Sequence, residues 1–256
     1  MSAQAFVRVL VEGAPRWARE TADGLRLLDK APWAAPREET TSVAADVFAP
    51  LAPVVPSKII AVGRNDKAHA AERGKPVPRE PLLFLKPPSA IVGPGAAIRR
   101  PAGAGRVDHE AELGVVIGRE AVDLPGPEGA LSHVFGITCV NDVTARDLQE
   151  RDVQFTRAKV FDTFCPVGPR LVAGLEPGGR RVEGRVNGEV RQSATTDDLI
   201  FDVAHLVWFI SRVMTLLPGD MICTGTPSGV GPLFPDDVVE VEVGAVGVLR
   251  NPVVVR

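Results

Sequence analysis

The stretch Val107–Gly118, VDHEAELGVVIG, decides how this chain is read. Leu113, Val115, Val116 and Ile117 form an apolar, β-branched run behind an alternating polar start, and Gly118 marks an end, so the stretch is predicted to be one β-strand. Side chains two apart on a strand leave the same face. Glu110 and Glu112 therefore project together, with Ala111 and Leu113 opposite. Two carboxylates held that close repel unless a cation lies between them.

An isolated E-x-E is commonly solvated surface, but the run behind this one reads as buried. A third carboxylate, Asp142, follows another apolar stretch, VFGITCVNDV. Three carboxylates at the ends of core strands form an all-oxygen donor set suited to Mg²⁺ or Mn²⁺, which keep water and leave positions for a substrate. The expectation is a metal site of Glu110, Glu112 and Asp142.

Outward from that site, composition narrows the classes. At 256 residues and 45% hydrophobic content the chain can build a sizeable core. A net charge of −3 leaves no basic footprint for nucleic acid. Cys139, Cys165 and Cys223 are odd in number and widely spaced, and read as reduced core thiols. With no signal-peptide pattern and no apolar run long enough to span a bilayer, a soluble, cytoplasmic protein without membrane partners is expected.

Toward the N-terminus, FVRVLVEG and LRLL are strand-like, while residues 31–56 are rich in Pro and Ala and cannot hold a central strand. Residues 1–55 are therefore expected to be a small β domain with its linker, and 56–256 the main domain. The main domain opens with the strand KIIAVG (58–63). After it, His69 and Glu72 are three apart on a short helix, where a carboxylate can orient an imidazole. The run Gly74–Pro78 would end that helix in a mobile, lid-like loop.

Toward the C-terminus, Thr144–Gln154 is helix-compatible, with Asp147 and Arg151 spaced for an i,i+4 pair. Lys159 sits among hydrophobes in RAKVFDTF, either snorkelling or pairing with an anionic substrate. Asn187-Gly188 signals a two-residue hairpin. Leu199, Val203, Leu206, Val207, Ile210, Val213 and Met214 keep helical spacing, with His205 and Trp208 read as core or rim. The Gly- and Thr-rich loop Thr224–Gly231 lacks the lysine of a phosphate-binding loop; its N–H groups and the Thr226 hydroxyl suit a carboxylate or oxyanion.

Taken together, the ordered motifs KIIAVGRNDKAHAAE, FLKPPSAIVGPG, DHEAELGVVIG, NDVTARDLQ, RAKVFDTFCPVGP, VNGEVRQ and TLLPGDMICTGTPSGVGP resemble the fumarylacetoacetate hydrolase family. The likeness is to its shorter members, called acylpyruvases, oxaloacetate decarboxylases or 2-hydroxyhepta-2,4-diene-1,7-dioate isomerases. The resemblance implies a mixed, β-rich (α+β) β-roll catalytic domain behind a small N-terminal β domain, a divalent metal on Glu110, Glu112 and Asp142, and a homodimer. It also implies that Lys159 and Thr226 contact a bound oxo acid, that Arg64 and Gln149 lie at the site, and that His69 and Glu72 activate water from a lid. One position departs. Many relatives carry tyrosine where this chain has Asp66, and there is no tyrosine anywhere in it. A changed lid charge bears on substrate preference.

The function expected is metal-dependent chemistry on a small 2-oxo or dioxo acid through its enolate. C–C hydrolysis by water deprotonated at His69 comes first, decarboxylation or isomerisation second, and a non-catalytic oxo-acid-binding role third. Lys159 is expected to fix the substrate carboxylate and to be dispensable for the fold.

Overall fold

The computed structural model describes residues 3–44, 49–72 and 76–256. The alternating N-terminal run folds as an antiparallel meander of β1 (Gln4–Val11), β2 (Ala14–Thr21) and β3 (Gly24–Leu28), with β4 (Glu38–Val43) on its edge. Val9, Ala18, Leu25 and Leu27 form a small core of their own. The Pro- and Ala-rich segment thus supplies an edge strand and the short β5 (Pro50–Leu51), which pairs with β1.

Downstream come β6 (Ile59–Gly63), β7 (Leu82–Lys86), β8 (Ile91–Val92), β9 (Ile98–Arg100), β10 (Val107–His109), β11 (Ala111–Ile117), β12 (Val134–Asn141) and β13 (Thr144–Ala145). They are followed by β14 (Cys165–Ala173), β15 (Arg181–Val186), β16 (Glu189–Thr195), β17 (Met221–Cys223), β18 (Gly231–Pro232), β19 (Val238–Val243) and β20 (Gly247–Val255). The α-helices are short: α1 (Lys67–Glu72), α2 (Arg146–Arg151), α3 (Thr156–Lys159) and α4 (Val203–Ser211). A twelve-stranded sheet runs β4-β3-β2-β1-β14-β12-β11-β17-β6-β7, with β5 on β1 and β8 on β14. A five-stranded sheet runs β16-β15-β19-β20-β9, and a three-stranded one β13-β10-β18. The β-rich fold expected from the motifs is what forms.

β11 lies at the centre and is covered on both faces. Leu113, Val115 and Ile117 pack with Val182, Val241 and Val243 of the five-stranded sheet and with Leu206, Val207 and Ile210 of α4. Val116, on the other face, packs with Ile59, Ala61, Met221 and Cys223. Burial on both sides explains why the run reads apolar without alternation. Glu112 shares the Val116 face, and so points away from the five-stranded sheet.

Three local expectations change. The stretch predicted as one strand is two, because the chain breaks at Glu110: β10 pairs with β13 and β18, whereas β11 pairs with β12 and β17. At the break Glu110 leaves the regular ladder, its N–H donating to Asn141 Oδ1 at 2.9 Å. The helix read from Leu199 onward begins only at Val203, because Asp202 caps it by accepting the His205 N–H at 2.8 Å. Arg151 pairs with Asp152, and Asp147 instead accepts the backbone N–H of Arg106. The Asn187-Gly188 hairpin forms as expected, with φ of 53° and 80°. The three cysteines are buried free thiols.

Asp220, fully buried after the α4 turn, accepts from Ser57 N–H and Oγ–H, Lys58 N–H and Leu217 N–H, and pairs with the Lys58 ammonium. This latch fixes where β6 starts beside β17, its parallel partner. Among the described residues no helix is long and apolar enough to cross a membrane.

Candidate active site

Glu110, at the break before β11, Glu112 on it, and Asp142, just past β12, place carboxylate oxygens within 4.8 Å of one another, and all three residues are buried. β11 and β12 are in register here, Ala111 opposite Asn141, and Asp142 N–H donates to Glu110 O at 2.9 Å. Strand pairing thus brings together residues some thirty positions apart.

Buried carboxylates need cations. Lys159, the last residue of α3, donates from Nζ to Glu110 Oε2 at 2.8 Å and to Asp142 Oδ2 at 2.6 Å. Its ammonium also faces the Phe84 ring, 5.0 Å from the centroid. Lys86, closing β7, donates to Asp142 Oδ1 and to the Lys159 carbonyl, both at 2.6 Å. Arg146, opening α2, donates to Glu110 Oε1 at 2.6 Å and to Asp108 Oδ2 at 2.9 Å, and also bonds Gln149 Oε1. Burial pushes the Glu110 carboxyl up, but Lys159 and Arg146 outweigh it and hold the group far below the usual range. Burial likewise disfavours the Lys159 ammonium, yet Asp142 and Glu110 leave its pKa raised.

Glu112 is the exception. Its hydrogen bond is from the backbone N–H of Gly225, at 2.9 Å, and among the described residues no cation pairs with it. Burial, then the neighbouring Asp142 and Glu110 charges, push its carboxyl well above the usual range. Gly225 has φ +101°, and a Cβ there would lie 2.8 Å from the Asn65 Cβ, so only glycine brings this amide to Glu112.

Above the cluster sits α1. Arg64 leaves β6 in the left-handed region, φ 56°, and Asp66 caps the helix by accepting the His69 N–H at 2.8 Å. The residue that departs from the family pattern is thus buried and committed to the helix N-terminus, and burial raises its pKa. His69 Nδ1 lies 3.3 Å from Glu72 Oε2, and Glu72 Oε1 accepts the Gly229 N–H at 3.1 Å. The loop expected after this helix falls in part on residues 73–75, outside the described residues.

A cavity of about 700 Å³ is lined by all nine residues expected at the site, Arg64, His69, Glu72, Glu110, Glu112, Asp142, Gln149, Lys159 and Thr226. Thr226 does not leave its proton free for an anion: its hydroxyl donates to Ala111 O at 3.0 Å and accepts from Gln192 Nε2 at 2.8 Å. Lys159 was expected to be dispensable for the fold. The structure instead makes it a partner of two buried carboxylates, because an ammonium with 2% of its side chain exposed cannot remain unpaired. Phe84 and Phe155, edge to face at 5.7 Å, give the cavity an apolar wall.

Sequence reasoning missed Lys86, Arg146 and Gln192. Lys86 carried the same signal as Lys159, a lone cation in an apolar run, LLFLKPP. Arg146 and Gln192 sat in polar text with nothing to distinguish them from solvated residues.

The donor set fits a divalent cation. Three buried oxygen ligands converge, and one of them, Glu112, has its pKa raised by burial and then by the like charges of Asp142 and Glu110, which such a cation would offset. A curled, β-rich scaffold that gathers a buried acidic triad able to hold a metal ion, two lysines, an arginine and a His–Glu pair around one cavity has the make-up of an enzyme site.

The chain belongs to the fumarylacetoacetate (FAA) hydrolase family, whose C-terminal domain model matches residues 58–254. It is 43% identical to a mitochondrial oxaloacetate tautomerase of Bos taurus, over 80% of this chain and 69% of that one. The structure of a 2-hydroxyhepta-2,4-diene-1,7-dioate isomerase from Mycobacterium marinum is 40% identical, with TM-score 0.90, covering 99% of both chains. That of a fumarylpyruvate hydrolase from Pseudomonas aeruginosa, in complex with Mn²⁺ and pyruvate, is 34% identical with TM-score 0.74, over 78% of this chain and 91% of that one.

Proposed function

We propose that this enzyme moves a proton between carbon and oxygen of a short 2-oxo acid, keto–enol tautomerisation of an oxaloacetate-like dicarboxylate being the reaction favoured. The observation that carries the reading is the buried triad of Glu110, Glu112 and Asp142, with Glu112 lacking a cation among the described residues. An Mg²⁺ or Mn²⁺ ion held there would supply Lewis-acid polarisation of the 2-oxo group. The similarity to an oxaloacetate tautomerase supports the substrate class.

The residues divide the work. Arg64 and Gln149 on the cavity wall, with the Lys159 ammonium, hold the substrate carboxylates in charge-assisted hydrogen bonds. Glu72 accepts from Nδ1–H of His69, which leaves Nε2 as the basic nitrogen. His69 takes a proton from C3 of the keto acid and the 2-oxo oxygen gains one, so atoms balance without a co-reactant. Phe84 and Phe155 keep one wall dry. The enzyme is read as a cytoplasmic homodimer, with residues 1–55 as a β appendage to the catalytic part.

A second reading, hydrolytic C–C cleavage of an acylpyruvate, is favoured by the same His–Glu pair and by the similarity to a fumarylpyruvate hydrolase. Here His69 would deprotonate water instead. The experiment is to follow the ultraviolet absorbance of enol-oxaloacetate and of an acylpyruvate, with Mg²⁺ and with a chelator, in wild type and Asp142→Ala. Chelator-sensitive decay of the enol signal that Asp142→Ala abolishes supports the first reading. Turnover confined to acylpyruvate supports the second, and no turnover of either overturns both.

A further inference from the structure

The buried amide of Gln192, on β16, touches four groups. Its Oε1 accepts the Ala111 N–H at 2.9 Å and faces His109 Nδ1 at 3.0 Å. Its Nε2 donates to Pro227 O and Thr226 Oγ1, each at 2.8 Å. The orientation of the amide follows from chemistry: a backbone N–H only donates and a backbone carbonyl only accepts, so Oε1 must face Ala111 and Nε2 must face Pro227 and Thr226. The Thr226 oxygen lies in turn 3.0 Å from Ala111 O, another pure acceptor. The single Thr226 proton therefore points at Ala111, and the nitrogen of Gln192 keeps it from turning.

Ala111 needs both partners. The edge of β11 that meets β12 is carried by the residues flanking Ala111, as where Glu110 O accepts the Asp142 N–H. Ala111 turns its N–H and C=O to the other edge, where β17 pairs only from Gly114 onward; Gln192 and Thr226 complete the ladder where that strand has ended. Neither side chain can turn away without leaving a buried backbone group unpaired. Thr226 also lines the cavity. What its oxygen retains for a ligand is a lone pair.

We propose that Gln192 is a positioning residue that fixes the polarity of Thr226, so that this wall of the cavity accepts a hydrogen bond from the substrate and selects the enol hydroxyl over an oxyanion. The inference deepens the 2-oxo acid reading and rests on it. A carboxylate or enolate oxygen brought to the same point meets two lone pairs facing each other. An enol O–H meets a partner.

Calorimetry on the Mg²⁺-loaded protein tests this with two probes that do not turn over. Glycolate carries a donating hydroxyl, whereas the corresponding oxygen of oxalate only accepts. Thr226→Val is expected to lower the glycolate-to-oxalate affinity ratio about tenfold, the order of one hydrogen bond. Gln192→Met removes the donor that opposes rotation and leaves the Thr226 hydroxyl held by Ala111 O alone, so it should lower the ratio in the same direction but by less. The double variant should go no further than Thr226→Val, and Thr226→Ser should preserve the ratio. An unchanged ratio in Thr226→Val, or equal loss of both probes in Gln192→Met, overturns the assignment while leaving the 2-oxo acid reading in place. Failure of both probes to bind wild type removes that reading, and the inference with it. If Gln192→Met does not fold, Thr226→Val against Thr226→Ser decides alone.

Discussion

Glu72 accepts the backbone N–H of Gly229 at 3.1 Å, tying the short α1 helix to the loop that carries Thr226. One carboxylate thereby seats the helix and orients His69, because its other oxygen lies 3.3 Å from the imidazole. Glutamine keeps the shape but offers one acceptor instead of two. Glu72→Gln is expected to lower kcat about 10–100-fold, and His69→Ala about 10²–10⁴-fold. Mg²⁺ affinity by calorimetry should stay at the wild-type value in both. A parallel loss of Mg²⁺ binding would show that the pair supports the acidic cluster rather than proton transfer.

Glu112 carries a stability prediction. Its folded pKa lies above the ordinary glutamate value, chiefly through burial and then through Asp142 and Glu110. The native state therefore holds this proton more tightly than the unfolded chain does, and the metal-free fold loses stability as pH rises from about 4.3 toward the raised value. Glu112→Gln removes that loss. In chelator at neutral pH its melting temperature should exceed wild type, by about 2–4 °C for each kcal/mol relieved, while added Mg²⁺ should no longer raise it. Melting curves between pH 4 and 8 that run parallel for the two proteins would refute this.

Lys159→Met leaves Glu110 and Asp142 each short of a buried partner. Loss of one member of such a network costs about 3–5 kcal/mol. Urea unfolding in chelator should show that loss, and millimolar Mg²⁺ should restore part of it by neutralising the same carboxylates. A midpoint equal to wild type without metal would mean that Lys86 and Arg146 suffice.

A homodimer is expected in solution, since a twelve-stranded open sheet ends in two edges that want cover. Light scattering at micromolar protein should return twice the 27.2 kDa chain mass. A monomer mass would sink the assignment.

The sequence made the acidic site legible because strand parity is a local rule: residues two apart share a face, and Glu110 and Glu112 reach one cluster even though the strand breaks at the first of them. The break itself had no local signal, since it follows from Asn141 on another strand taking the Glu110 amide. The α4 helix was read too long because apolar spacing continued through Leu199, whereas the cap at Asp202 decided its start. Lys159 stands out in the sequence as a lone cation among hydrophobes, but its bonds to two carboxylates belong to tertiary structure. Gln192 was invisible for the same reason. Its partners Ala111 and Thr226 lie 81 and 34 positions away.

The latch between Asp220 and Lys58 joins positions 162 apart, and β6 can dock beside β17 only once most of the chain has been made and collapsed. Closing loops of that length before any reward is slow, so the pairing is expected late on the folding route. The cavity borders on β6, β7, β11 and α3 together, and so no partly folded species presents it whole. A divalent cation would then act as a brake on unfolding and not as a nucleus: it should slow escape from the native state and leave the refolding rate nearly unchanged.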